Sequence, residues 1–191
     1  MTEEPAKKQP PRTMKCPTCK SSLLAHGEIE AGLPSRPCPT CAGSFVAFED
    51  FLKWQEGAGD AAPGAAVPKL GLESSGPKLC PYCGRFLTRF RIALDIPFQI
   101  ERCGLCAGVW FNAGEWEYLR SRGVAKRLNH VFSDAWQNQM RAEETRRNQE
   151  ERYRSLLGDA DFETARVFKR WLEGHAKRTT VWAFLENKDV P

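Results

Sequence analysis

The chain has 191 residues, with 28 lysines and arginines against 24 aspartates and glutamates and a net charge of +4. So small an excess excludes a protein that holds polyanions by its overall field alone, and no run approaches the roughly 20 apolar residues needed to cross a bilayer. The strong compositional signal is eight cysteines, all in Cys-x-x-Cys pairs: Cys16/Cys19, Cys38/Cys41, Cys80/Cys83 and Cys103/Cys106.

Residues 1–13 are charged, rich in proline and without a periodic apolar face, which predicts disorder. They lack the apolar run of a secretory signal, so a reducing, cytoplasmic location is expected, where thiols do not persist as disulfides. Residues 14–56 form a first module. Leu23 and Leu24 lead out of the first cysteine pair, and the return past Gly32 and Pro34 is poor in strand formers. Phe45-Val46 is a crossing strand, and FVAFEDFLKW runs into a short helix.

From 57 to 77 the composition turns to Gly, Ala, Pro and Ser, as a flexible linker does. Fully flexible, it would reach roughly 25 Å and leave its flanking modules as separate beads. Residues 78–123 repeat the first module. CPTC answers to CPYC, CPTCAGSF to CGLCAGVW, and FVAFEDFLKW to WFNAGEWEYL. Phe86, Thr88, Phe90 and Ile92 alternate with Leu87, Arg89 and Arg91, Asp95-Ile96-Pro97 makes a turn, and residues 98–102 run back. After the crossing strand Val109-Trp110-Phe111, Asn112 is placed to cap a helix with Glu115 in capping-box position and Gly123 as its stop. Trp116 and Leu119 should face back onto the hairpin.

Residues 124–191 read as helical. A helix over 130–157 carries an apolar stripe of Val131, Phe132, Trp136 and Met140 and then a polar run. Gly158-Asp159 breaks it. Asp161 can cap a further helix with Phe162, Ala165, Phe168, Trp171 and Leu172 on one side, and a last cluster of Val181, Trp182, Phe184 and Leu185 predicts a helical hairpin.

Gaps of 18 residues between Cys19 and Cys38 and of 19 between Cys83 and Cys103 match the ribbon pattern of tetrahedral four-thiolate zinc. The expected cofactor is therefore zinc, two ions, one held by Cys16, Cys19, Cys38 and Cys41 and the other by Cys80, Cys83, Cys103 and Cys106. Iron is the chemical rival for such a knuckle. Modules of about 40 residues cannot rest on an apolar core alone, and a structural zinc site contributes roughly 10–16 kcal/mol. Cys-Pro at Cys16, Cys38 and Cys80, with Gly84, Gly43 and Gly108 near the second cysteine of their pairs, shapes knuckles whose amides can face the sulfurs. Lys15, Lys20, Lys78 and Arg102 can offset the thiolate charge. Four protein ligands leave no open coordination position, so catalysis at the metal is not expected. His26, His130 and His175 stand apart from both tetrads, and no nucleophile-base order or phosphate-binding glycine loop is present.

At CPYCGRFLTRF and IERCGLCAGVWFNAGEWEYL the second module resembles the transcription factor IIB-type zinc ribbon family, through Cys80, Pro81, Cys83, Gly84, Cys103, Cys106, Gly108, Trp110, Gly114 and Glu115. The first module is similar to a diverged copy: Phe45 stands for the tryptophan, Glu49-Asp50 for Gly-Glu, and Lys20 for the knuckle glycine. The resemblance implies two tandem ribbons, structural zinc and a docking role, in small bacterial-type proteins as readily as in transcription factors.

The expected fold is thus a small metal-stabilised α+β chain of two tandem zinc ribbons, each a short antiparallel hairpin with a following helix, plus a C-terminal α-helical region over 124–191. The expected function is a non-enzymatic zinc-binding adaptor docking a protein partner of the transcription or translation apparatus, with no membrane and no small-molecule substrate. The alternative is a zinc-dependent nucleic-acid binder working through the second hairpin, with Arg85, Arg89, Arg91, Arg102, Trp110 and Trp116 as the candidate surface for nucleic acid or protein. A thiol redox sensor that releases metal on oxidation ranks below both.

Overall fold

The structure is a computed structural model, and it describes residues 13–57, 70–71 and 76–188. The expected disordered N-terminus, apart from Thr13, and most of the expected linker lie outside the described residues. Two compact units are present, Met1–Met140 and Arg141–Pro191.

In the first unit each cysteine module contributes three strands and a helix. The first supplies β1 (Gly27–Glu30), β2 (Leu33–Pro37), β3 (Ser44–Val46) and α1 (Phe48–Gly57). The second supplies β4 (Leu87–Arg91), β5 (Gln99–Cys103), β6 (Val109–Phe111) and α2 (Glu115–Ser121). All six strands join one antiparallel sheet in the order β1-β2-β3-β6-β5-β4. The expectation of separate beads is corrected here: the modules share a sheet through β3 and β6. Part of the expected linker is also anchored, because Leu70 packs against the core and the Gly71 amide donates to the Ala113 carbonyl at 2.8 Å.

The pairing at the join is between equivalents. Cys38 and Cys103, Phe45 and Trp110, and Phe51 and Trp116 are each 65 residues apart, and β3 meets β6 with Ser44 opposite Phe111, Phe45 opposite Trp110 and Val46 opposite Val109. A local twofold therefore passes through the Phe45/Trp110 pair. Two glycines make it fit. A Cβ on Gly108 would stand 2.1 Å from the Phe45 ring, and one on Gly43 would stand 2.4 Å from the Trp110 ring, so each module's glycine seats the other module's aromatic side chain. The sequence reading gave Gly43 and Gly108 a turn role. The left-handed turn residues after the second cysteines are instead Lys20, Ala42, Gly84 and Ala107, at φ 64°, 55°, 74° and 58°.

Strand alternation then divides the sheet into two faces. Val46, Val109, Phe111 and Ile100 join Phe51, Trp54, Trp116 and Leu119 in a core beneath α1 and α2. Phe45 and Trp110 join the cysteines and Leu87 on the other side. Each large side chain buried this way contributes about 1.5–3 kcal/mol. Trp116 and Leu119 face inward as expected, and the ring of Trp116 packs edge-on against Trp54 at 5.3 Å. At its C-terminus α2 closes in a Schellman motif, with Gly123 at φ 67°, Val124 N–H donating to the Leu119 carbonyl and Gly123 N–H to that of Arg120.

Residues 124–132 fall within the expected C-terminal helical region. They belong to this unit: Ala125, Leu128, Val131 and Phe132 are buried in the sheet's core, the last two on or just after the short helix α3 (Leu128–Val131). The next helix, α4 (Asp134–Leu157), begins by covering the edge strand β4, since the Gln137 side chain accepts from the Arg91 amide and donates to its carbonyl at 3.0 and 2.8 Å. An edge strand met in this way is closed to other chains at that point.

In the second unit, α5 (Asp159–Glu173) and α6 (Arg178–Glu186) follow the end of α4. Gly158, at φ 78°, breaks the chain between α4 and α5 where the sequence placed the break. Asp161 lies inside the first turn of α5 rather than at its cap. No helix among the described residues is long and apolar enough to cross a membrane.

Gly108→Ala is expected to cost about 1–3 kcal/mol of stability through the clash with Phe45. Gly104→Ala, whose Cβ would meet nothing within 4 Å, is expected to change it by under about 0.5 kcal/mol. Urea unfolding of the metal-loaded protein compares the two, and equal effects would dismiss the interlock.

Candidate metal centres

All eight cysteines are free thiols, brought together as the spacing predicts. Cys16, Cys19, Cys38 and Cys41 form one cluster and Cys80, Cys83, Cys103 and Cys106 the other, with every sulfur in a cluster within 4.8 Å of its partners. Closest approaches are 3.6 Å for Cys16 to Cys41 and 3.9 Å for Cys19 to Cys38, then 3.5 Å for Cys80 to Cys106 and 3.3 Å for Cys83 to Cys103. A disulfide would bring sulfurs to about 2.05 Å, whereas a tetrahedron of metal-sulfur bonds of about 2.3 Å has edges near 3.8 Å. Each cluster therefore fits one metal ion. None of the three histidines joins either set.

The knuckle backbones are built for sulfur in its charged form. In every pair the first cysteine receives amides from the next two residues but one: Thr18 and Cys19 for Cys16, Thr40 and Cys41 for Cys38, Tyr82 and Cys83 for Cys80, Leu105 and Cys106 for Cys103. The Gly43 and Gly108 amides serve Cys41 and Cys106 in the same way. Burial opposes ionisation at Cys38 and Cys103, but these amides and the neighbouring thiols outweigh it and bring both down to about 7. Burial wins at Cys16, Cys41, Cys80 and Cys106, which are pushed above the ordinary thiol value. Four sulfurs this close cannot all carry charge without a cation among them, and that is the chemical case for a metal.

The expected counter-charges are only partly where the sequence put them. Lys78 is committed to a carboxylate rather than to a thiol. Buried, it donates to Glu101 at 2.7 Å and to the Asn112 side-chain oxygen at 2.8 Å. Asn112 Oδ1 also accepts from Trp110 Nε1 at 3.1 Å, while its amide and Nδ2 donate to the two oxygens of Glu115. Asn112 is therefore the hub of a buried polar network rather than a helix cap, and α2 begins after Gly114. A signal for it was present in the sequence: Glu101 and Cys103 are two apart on one strand, so both face the metal side. Glu115 is raised to about 7, first by burial and then by Glu101, against the pull of Asn112 and Lys78.

The candidate binding residues of the second module lie only in part at the surface. Trp110 and Trp116 are 0 % and 2 % exposed, so both are core residues and neither can meet a partner. Arg102 lies half-buried with its guanidinium 4.7 Å from the Phe48 ring and 4.9 Å from that of Phe132. Burial lowers its pKa, and the charges of Cys103 and Cys106 work the other way. Arg89 pairs with Glu101 at 3.5 Å and donates to the Gly76 carbonyl, and Arg91 is half-buried beneath Gln137. Arg85, on the knuckle, and Arg89 are the exposed arginines of the set.

The sequence gives no sign of the cleft that lies between the knuckles. Pro17 and Lys20 on one side and Pro81 and Gly84 on the other line a cleft of about 660 Å³, with Leu79 and Phe86 in its wall. Phe86 is 68 % exposed, and Leu79 and Tyr82 about half. Phe86 bridges to Leu79 just before β4 and shares the exposed side of Thr88, as alternation expects.

Metal analysis of the reduced protein is expected to give two equivalents, falling to one in Cys80→Ser. For Glu115 the folded state holds a proton that the unfolded chain releases near the ordinary 4.5. Its favourable share of stability is therefore complete below about 4.5 and is lost as pH rises through about 7. A carboxyl NMR titration with a midpoint near 7 checks this; a midpoint near 4.5 would refute it. Comparison of the chain with family models, with curated proteins and with solved structures finds no match.

Proposed function

We propose that this chain is a non-enzymatic zinc-binding adaptor whose two ribbons form one rigid platform, and that the cleft between their knuckles docks a protein partner. The observation that carries this reading is the placement of Leu79, Tyr82 and Phe86. Leu79 and Phe86 stand exposed in the wall of that cleft and Tyr82 is exposed on the Cys80–Cys83 knuckle, while the aromatic residues on the strands are spent on the core. Large apolar side chains held out on a metal-braced scaffold are what an interface hot spot requires. Zinc is the metal of choice for two closed four-thiolate sites. With every ligand position filled by protein, the metal holds shape and performs no reaction.

The resemblance to transcription factor IIB-type ribbons points to a partner in the transcription or translation apparatus. Nucleic acid is the second reading. Lys15, Lys20 and Arg85 are exposed on the same two knuckles, and with Tyr82 and Phe86 they offer cations beside stacking rings.

Affinity capture with the metal-loaded full chain, with and without nuclease, separates the two. The adaptor reading expects a nuclease-resistant partner whose binding falls at least roughly 30-fold in Leu79→Asp with Phe86→Asp, both metal equivalents being retained. Direct binding to RNA or DNA that weakens steeply with salt and fails in Lys20→Ala with Arg85→Ala would replace it.

A further inference from the structure

The second unit exposes more apolar surface than so small a helical body can leave to water. Nine large apolar side chains between Tyr153 and Leu185 are 38–69 % exposed, and α6 buries none of its residues. At ordinary side-chain areas this comes to on the order of 900 Å², against 300–600 Å² for the largest patch on a typical monomer and about 800 Å² per partner in a stable interface. On α6 the apolar residues Trp182, Phe184 and Leu185 do not share one stripe: at 100° per residue Trp182 and Phe184 point to opposite sides. A helix apolar on more than one side belongs inside a larger assembly.

From these observations we infer that Arg141–Pro191 is a homodimerisation unit, and that a second copy of this chain covers α5 and α6. Three features select a copy over a foreign partner. The exposed apolar area, six of its nine side chains on α5 and α6, is of the order of one side of a standard interface. The surface carries both a hole and a knob: a groove of about 550 Å³ floored by Phe162 and Leu172, and the projecting ring of Trp171, 51 % exposed. A patch with both can meet itself across a twofold, as isologous contact demands. The charge is also self-complementary. Residues 141–191 hold 11 lysines and arginines and 10 aspartates and glutamates, and the groove's cations Arg146, Arg166 and Lys169 pair with Glu143, Glu163 and Glu173 of their own helices. Two copies meet without a repulsive field, whereas a partner chosen by charge would face a surface of one sign. The inference is independent of what the knuckles dock.

The test uses the metal-loaded full chain in sedimentation velocity from 1 to 100 µM. The expected result is a concentration-dependent shift from 21.6 kDa to twice that mass, with the dissociation constant raised roughly 30-fold or more in Phe168→Glu and in Trp182→Glu. Helicity and two metal equivalents confirm that the variants fold. Hydrogen exchange on the unaltered chain gives an answer without mutation: protection of amides in α5 and α6 should rise between 1 and 100 µM. A chain that remains monomeric at 100 µM overturns the inference and assigns the face to another occupant. A dimer whose added protection lies outside α5 and α6, or one that persists in both folded variants, overturns it equally.

Discussion

The crossing of β3 and β6 at Phe45 and Trp110 organises the first unit. Neither module has enough apolar surface to close a core by itself, and each holds its metal cluster on the opposite side of the sheet from its helix. By pairing equivalent strands, the modules combine α1 and α2 over one core and set both thiol clusters on one face. Side-chain volume settles the geometry of the crossing. A ring from each module occupies the space that a Cβ would take at the other's glycine, so neither sliding nor rotation about the axis is open to it. Contacts away from the axis reinforce this. Glu30 of the first module accepts from Trp116 and pairs with Arg120 of the second, and Arg102 reaches Phe48.

Electrostatics explains why the two faces differ so strongly in character. Thiolates are costly beside a low-dielectric core, and the knuckle amides reduce that cost locally, by five hydrogen bonds per cluster. Cations could then be spent elsewhere. Lys78 balances Glu101, and Arg102 lies over aromatic rings. A buried ion pair of this type contributes little net stability, but removing one partner would strand the other. The network around Asn112 therefore acts as a lock on the position of β6 relative to Lys78 and Glu101.

Much of this was legible in the residues. Cysteine spacing placed the eight ligands and divided them correctly into two sets, and alternation with turn residues located the second hairpin, its crossing strand and its following helix. The repeat was legible too, but its meaning was not. Periodicity tells which face a side chain takes and says nothing of which strand lies alongside, so β3 and β6 could be read as strands and not as partners. Gly43 and Gly108 illustrate the same limit: a glycine beside a turn signals backbone freedom by default, and only the opposing ring reveals that the requirement was space. Trp110 and Trp116 look from the sequence like an excess of aromatics over a tiny core; the core doubles in size once the modules share it.

The local twofold has an evolutionary corollary. Two equivalent strands that pair with each other inside one polypeptide could, before the modules were joined, have paired between two identical polypeptides, with the ring-over-glycine contact made twice by one sequence. Covalent fusion relaxes the demand for sameness. Where the second half has Lys78, Glu101 and Asn112, the first has Met14, Arg36 and Ala47, so a buried ion pair with its amide has been kept or gained on one side only. Specialisation of one half, with its sibling retained as a brace, is what a fused pair permits and a symmetric pair forbids.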